Sequence, residues 1–166
     1  MTDTHASAPR RRRHLATAAL AISAVALAAA AGSAQARIVP GVGVAGVAVG
    51  DTEAAVRSTL GAPEAGSNAL NYRYIRGRGF GIYFIAGRVY EITVVRRPEA
   101  TAKGIGVGSK LAALRKAYPA AACRRGVVGR DAVECTLAGR RAGRATETLF
   151  VTRAGRVTSI AVRFAG

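Results

Sequence analysis

The sequence contains very few of the side chains on which enzymes most often rely. Its two histidines, His5 and His14, lie at the start of the chain, and it has no tryptophan. Without a histidine further along, the usual pairs of nucleophile and general base cannot form. Glu91 and Glu147 could face each other as a carboxylate pair, but exposed glutamates among many arginines more often form solvated ion pairs. The composition therefore predicts a protein that is not an enzyme.

Cysteine is equally scarce, and its placement predicts a disulfide. The chain has two cysteines, Cys123 and Cys135, which flank residues 126–131, a stretch typical of a turn. In an oxidising compartment, two cysteines across a hairpin favour a disulfide. Closing a loop of this size stabilises a fold by roughly 3 kcal/mol. A metal site would need more ligands than two thiols, so we predict neither a metal nor a cofactor.

The first 36 residues have the organisation of a cleavable signal peptide. Four consecutive arginines, 10–13, precede an apolar run over residues 15–31, and Ala34-Gln35-Ala36 offers small residues to a signal peptidase. The alternative is an uncleaved membrane anchor, but the apolar run is short for roughly 30 Å of hydrocarbon. We predict cleavage near Ala36 and a secreted or cell-envelope protein. The choice between the general and the twin-arginine export routes stays open.

A phrase that occurs twice suggests an internal duplication. "GVAVGDTEAAVR" begins at Gly46 and "GIGVGSKLAALR" begins at Gly104. In each copy a polar residue, Asp51 or Ser109, is expected to cap a short helix. The alternative is chance similarity in a chain rich in Ala, Gly, Val and Arg. We predict two repeats, at residues 37–98 and 99–166.

Strand patterns follow the predicted helix in both copies. Apolar and polar residues alternate over residues 70–74 and 80–84, and again over 133–137. "AGRVYEITV" from Ala86 is then matched by "AGRVTSIAV" from Ala154. The predicted fold class is α+β: two tandem helix-plus-antiparallel-meander repeats, with the helices packed on one face of a curved sheet.

The pattern "VGDTEAAVRSTLGAP" followed by strands ending in "AGRVYEI" resembles β-lactamase inhibitor proteins and the SmpA/OmlA-type outer-membrane assembly lipoproteins. The resemblance covers most of residues 41–162, and the second copy makes it closer to the inhibitors. It implies a concave sheet face that is open to a protein partner. Ala36 is followed by Arg37 rather than by the cysteine that the lipoproteins need, so no lipid anchor is expected. The chain lacks tryptophan and is strongly basic, so we do not infer β-lactamase inhibition from the resemblance.

Strand alternation also indicates which residues would meet that partner, an unidentified envelope or extracellular protein. Tyr83 and Phe150 would be exposed aromatic anchors, although both could instead cover the edge of the core. The spacing of Val89 and Ile92 could mean a bulge that reverses this assignment. The predicted partner-binding residues are Arg73, Tyr83, Glu91, Thr93, Thr148, Phe150 and Arg163.

The excess of basic residues supports an alternative function. The chain has 25 Lys and Arg against 9 Asp and Glu, a formal net charge of +16. Two arginine clusters could bind anionic cell-envelope polymers, whereas nucleic acid is not expected outside the cell. The plainer interpretation is a solvated surface in which coding bias favours arginine over lysine. The clusters are formed by Arg76, Arg78, Arg140, Arg141 and Arg144.

Overall fold

The structure, a computed structural model, describes residues 38–61, 72–74, 80–126 and 131–166. These residues belong to one compact unit, 34–166. The predicted signal peptide, Arg76 and Arg78 lie outside the described residues. The elements, in chain order, are β1 (Ile38–Val39), β2 (Gly43–Val44), β3 (Val47–Ala48), α1 (Glu53–Leu60), β4 (Tyr72–Tyr74), β5 (Phe80–Ile85), β6 (Arg88–Val94), α2 (Leu111–Ala117), β7 (Ala122–Arg125), β8 (Val133–Arg141), β9 (Arg144–Arg153) and β10 (Arg156–Phe164).

Strands β4 to β10 form one seven-stranded sheet in the order β4-β5-β6-β10-β9-β8-β7. Every neighbouring pair is antiparallel. The hairpins β5–β6 and β9–β10 turn at Ala86-Gly87 and Ala154-Gly155, all with positive φ, as tight hairpin turns require. The last strands of the two hairpins, β6 and β10, pair with each other at the centre of the sheet.

A small sheet, β1-β2-β3, contributes to the core beside one face of the large sheet. Its Val44 and Val47 are buried in the same cluster as Ile92 and Phe150 of the large sheet. The turn between β1 and β2 is attached to β9 by two hydrogen bonds. Gly41 N donates to Thr148 Oγ1 (2.7 Å), and Thr146 Oγ1 donates to Gly41 O (2.8 Å).

The predicted fold class is wrong, because strands rather than packed helices dominate the molecule. The helices have eight and seven residues, and each buries one side chain, Val56 in α1 and Leu114 in α2. Helices this short bury too little apolar surface to form a layer of their own. The strands of both halves form one sheet. Strands β1–β3, which the sequence pattern does not predict, share the core with it.

Asp51 and Ser109, which were expected to cap the helices, accept hydrogen bonds in the turn that precedes each helix. Thr52, not Asp51, accepts the amide of Ala55 at the start of α1 (3.2 Å). Asp51 Oδ2 instead accepts the amide of Ala48 (2.8 Å). Ser109 Oγ accepts the amide of Gly106 in the same way (3.0 Å). Both side chains therefore close the turn that precedes a helix.

The duplicated phrase has a local structural counterpart at these turns. Gly50 N donates to Val89 O (2.7 Å), and Gly108 N donates to Val157 O (2.7 Å). Both glycines have a φ of 92°. The phrase thus specifies how the segment before a helix attaches to the first residues of a hairpin strand.

The predicted disulfide is confirmed. Cys123 of β7 and Cys135 of β8 are direct register partners and form a disulfide, with a Cα–Cα distance of 4.0 Å. Cys135 is fully buried in the core. The bond therefore fastens an edge strand to the body of the sheet.

Candidate functional site

The candidate site is the side of the seven-stranded sheet opposite the core, which we call the open face. Alternation along β9 defines it: Thr148 and Phe150 are buried, whereas Glu147, Leu149 and Val151 are half-buried. The half-buried residues of the open face used below are Tyr83, Glu91, Thr93, Glu147, Leu149, Val151 and Arg163.

One register row crosses the open face through four strands. Tyr83 of β5 is opposite Glu91 of β6, Glu91 is opposite Arg163 of β10, and Arg163 is opposite Glu147 of β9. Arg163 Nε donates to Glu147 Oε1 (2.6 Å), and Nη1 donates to Glu91 Oε2 (3.4 Å). The register therefore gathers residues that are up to 80 positions apart in the sequence.

This row places one guanidinium between two carboxylates at a partly buried position. The side chain of Arg163 is 35% exposed, and those of Glu91 and Glu147 are 22% and 20% exposed. Partial burial by itself would lower the pKa of Arg163. The hydrogen bonds and negative charges of Glu147 and Glu91 outweigh that effect, so the pKa lies above its ordinary value. Arg163 is therefore charged at neutral pH.

Thr93 and Tyr83 extend this network on either side of Glu91. Thr93 Oγ1 donates to Glu91 Oε1 (2.8 Å), which fixes the carboxylate. Tyr83 meets the ring of Tyr90 edge to face, with 6.0 Å between centroids. The register shifts between Tyr83 and Phe84, so the bulge considered near Val89 is present. It leaves Tyr83 and Glu91 on the open face.

Two predicted partner-binding residues lie on the opposite side, so their predicted exposure is wrong. Thr148 and Phe150 are fully buried. Thr148 accepts a hydrogen bond from Gly41, and Phe150 stacks on Tyr118 with centroids 5.7 Å apart. Placing Thr148 and Phe150 on the open face implied that the alternating residues Leu149 and Val151 would face the core. In β9 the core positions are instead occupied by threonines around Phe150, which reverses the expected pattern.

For Arg73 the structure gives the register position within β4. In the β4–β5 register Arg73 is opposite Ile82, a core residue, whereas Tyr72 is opposite Tyr83. Arg73 therefore does not share the row of Tyr83 and Glu91. The structure brings Tyr83, Glu91, Thr93 and Arg163 together.

Glu147, Leu149 and Val151 belong to the open face but were not predicted as binding residues. Three consecutive apolar residues, 149–151, hid the alternation of β9. Glu147 had been considered as a partner of Glu91. The structure places Arg163 between the two, as the ion-pair interpretation expects.

The arginines of the second cluster are largely engaged within the fold. Arg141 Nε donates to Val49 O (2.8 Å), and its Nη2 lies 3.2 Å from Asp51 Oδ1. The guanidinium of Arg144 lies 3.7 Å from the ring centroid of Phe164. Arg140 donates to Gly143 O within its own turn (2.9 Å). The contacts of Arg141 and Arg144 connect the β8–β9 hairpin to the rest of the molecule.

Two features are absent from the described part of the chain. Among residues 38–61, 72–74, 80–126 and 131–166, no group of three or more His, Cys, Asp or Glu side chains could hold a metal ion. Neither helix in the described part of the chain is long and apolar enough to cross a membrane.

The sequence matches no protein-family model, and it has no significant match among curated proteins or among solved structures. The resemblance to β-lactamase inhibitor proteins and assembly lipoproteins therefore stays a prediction from short motifs.

Proposed function

We propose that the chain is a non-catalytic protein-binding module and that the open face is its binding surface. The observation that supports this proposal is the row Tyr83–Glu91–Arg163–Glu147, a partly buried ion-pair network on a sheet face. Aromatic and charged side chains that are held in fixed positions often contribute most of the binding energy at protein interfaces.

The composition of the open face favours a protein over a polyanion. Its centre carries two carboxylates and one guanidinium, so it is locally acidic in a chain of net charge +16. Leu149 and Val151 add half-buried apolar surface on the neighbouring strand. A mixture of apolar area and fixed polar groups suits the core and rim of a protein interface, whereas an anionic polymer would be repelled by the two glutamates.

The proposed setting is the cell envelope or the extracellular space, in keeping with the predicted signal peptide and the disulfide. The family resemblance supports two forms of this role, an inhibitor or an assembly factor. The alternative is binding of anionic polymers through both arginine clusters. It has less support because Arg141 and Arg144 are held in internal contacts.

The test begins with capture on the immobilised protein from secreted and envelope extracts. Washes at low and then high salt separate the two functions, since charge-driven binding weakens with ionic strength and a packed interface does not. We expect a discrete protein to survive high salt. Recovery of polyanions alone, all lost at high salt, would contradict the proposal.

Variants then locate the binding surface. Tyr83→Ala with Leu149→Ala should weaken binding of the captured protein by more than about tenfold. Val39→Ala is the control, because Val39 is an apolar residue of β1 that is 50% exposed and lies outside the open face. Equal affinity of the double variant and the unchanged protein would mean that another surface binds.

A further inference from the structure

All three lysines of the chain line the same surface depression. The chain has 25 basic residues, of which only Lys103, Lys110 and Lys116 are lysines. The depression has a volume of about 540 Å³ and is open to solvent. We call it the lysine pocket; its lining is formed by Lys103, Gly104, Ile105, Ser109, Lys110, Ala113, Lys116 and Ala117.

Lys103 is held in place at the pocket by the fold. Its Nζ donates to Ala117 O (2.8 Å) and lies 4.9 Å from the ring centroid of Tyr118. Tyr118 in turn stacks on the buried Phe150. An ammonium group has three donors, so Lys103 keeps donors for a ligand while its position is already fixed.

The charge of the pocket is not neutralised by its own lining. None of the described residues that form it is acidic. In the described part of the chain, the ion pairs of the structure involve arginines and leave Lys110 and Lys116 without a carboxylate partner. Ser109 adds a hydroxyl that accepts from Gly106 N and can still donate its own proton. Three positive charges and a hydroxyl therefore surround one open volume.

We propose that the lysine pocket binds a multiply charged phosphate-bearing anion, a function separate from the open face. The ammonium of lysine is a compact point charge that serves as a phosphate ligand. A coding preference for arginine over lysine acts along the whole chain and does not explain why every lysine lies at one pocket. The open-face charges do not contribute, since Arg163 is paired with Glu147 and Glu91 on another part of the molecule.

The test is calorimetric titration of the purified, disulfide-bonded protein with inorganic pyrophosphate at physiological ionic strength. The variant is Lys110→Gln with Lys116→Gln, which leaves the contacts of Lys103 intact. The control is Arg115→Gln with Arg153→Gln, which removes the same charge from two exposed residues that do not line the pocket. We expect the lysine variant to bind pyrophosphate at least about tenfold more weakly and the control to change affinity by less than about twofold.

Three outcomes would overturn the proposal. They are the absence of pyrophosphate binding by the unchanged protein, equal weakening in both variants, and equal affinity for citrate, which carries its charge on carboxylates. Amide chemical shifts provide a second readout that does not depend on a variant. Pyrophosphate should shift the amides of Gly104 and Ser109 and leave those of Glu91 and Glu147 unchanged; the reverse pattern would place the anion elsewhere.

Discussion

Arg163 Nε donates to Glu147 Oε1 at 2.6 Å across the β9–β10 pair, and this bond stands at the centre of the open face. Arg163 also reaches Glu91 on the other side, so that one guanidinium joins three adjacent strands. The same residue thus connects the two halves of the sheet and organises the proposed binding surface.

Replacing Arg163 by glutamine should destabilise the protein. Glu91 and Glu147 would be left partly buried without their shared positive charge, at a cost of about 1–2 kcal/mol after allowance for solvent screening. Arg153→Gln is the matched control, because Arg153 lies on β9 and is exposed. Urea unfolding of the two variants measures the difference, and equal stabilities would show that the network contributes nothing.

The contribution of Arg163 to stability should not vary between about pH 6 and about pH 9. Its pKa is raised in the folded state by Glu147 and Glu91. Stability from a raised pKa is fully present below the unfolded pKa and is lost only as the pH rises through the folded pKa. For arginine both values lie far above neutrality, so the loss caused by Arg163→Gln should be the same at about pH 6 and about pH 9. A loss that shrinks across this range would assign the effect to another group.

Thr148→Val should show that a threonine on the core face serves the fold rather than a partner. The substitution keeps the shape of the side chain but leaves the Gly41 amide without the buried hydroxyl that accepts its bond at 2.7 Å. We expect a loss of about 1–3 kcal/mol in the free energy of unfolding. Thr136→Val, on the half-buried side of β8, is the control and should cost much less. Equal losses would mean that the bond to Gly41 does not matter.

The disulfide should account for a large part of the stability of the β7–β8 hairpin. Removing it by Cys123→Ala and Cys135→Ala should cost about 3 kcal/mol, because the unfolded chain is no longer constrained. Reduction of the unchanged protein is the informative comparison, since it breaks the bond without deleting buried sulfur atoms. Guanidinium unfolding with and without reductant measures both, and an unchanged midpoint on reduction would contradict the prediction.

The sequence was sufficient for features that depend on local chemistry. Three features follow from residues close together in the chain. They are the turns at Ala86-Gly87 and Ala154-Gly155, the alternation of β5 and the Cys123–Cys135 bond. Strands β1 to β3 were missed because each has two residues, too few for a period of two to be recognised. Both helices were predicted from the sequence. Their short length gave no indication that the small sheet would share the core with the large one.

The residues of the open face could not be predicted from local sequence patterns. Glu91, Arg163 and Glu147 meet only because β6, β10 and β9 are neighbours in a particular register. The misplaced Thr148 and Phe150 have a different cause. Threonine on a core face is stable there because its hydroxyl reaches the backbone of Gly41, a contact between distant segments that hydrophobic alternation cannot indicate.

Substitutions of Gly50 and Gly108, the glycines of the duplicated phrase, should distinguish the cost of backbone strain from that of steric contact. Gly50 and Gly108 both have a φ of 92°, a conformation that residues with a Cβ rarely adopt. At Gly50 an added Cβ would meet Phe164 at an ordinary 3.5 Å, whereas at Gly108 it would lie 2.5 Å from Nη2 of Arg97. Gly50→Ala should therefore cost about 1–3 kcal/mol through strain alone.

Gly108→Ala should cost at least as much, and it should also displace Arg97, whose Nε donates to Val107 O (3.2 Å). Thermal unfolding and the Nε–H resonance of Arg97 report the two effects separately. Gly166→Ala is the control, because an added Cβ there meets nothing within 4 Å. If Gly50→Ala were as stable as this control, the positive φ would not be what selects glycine in the phrase.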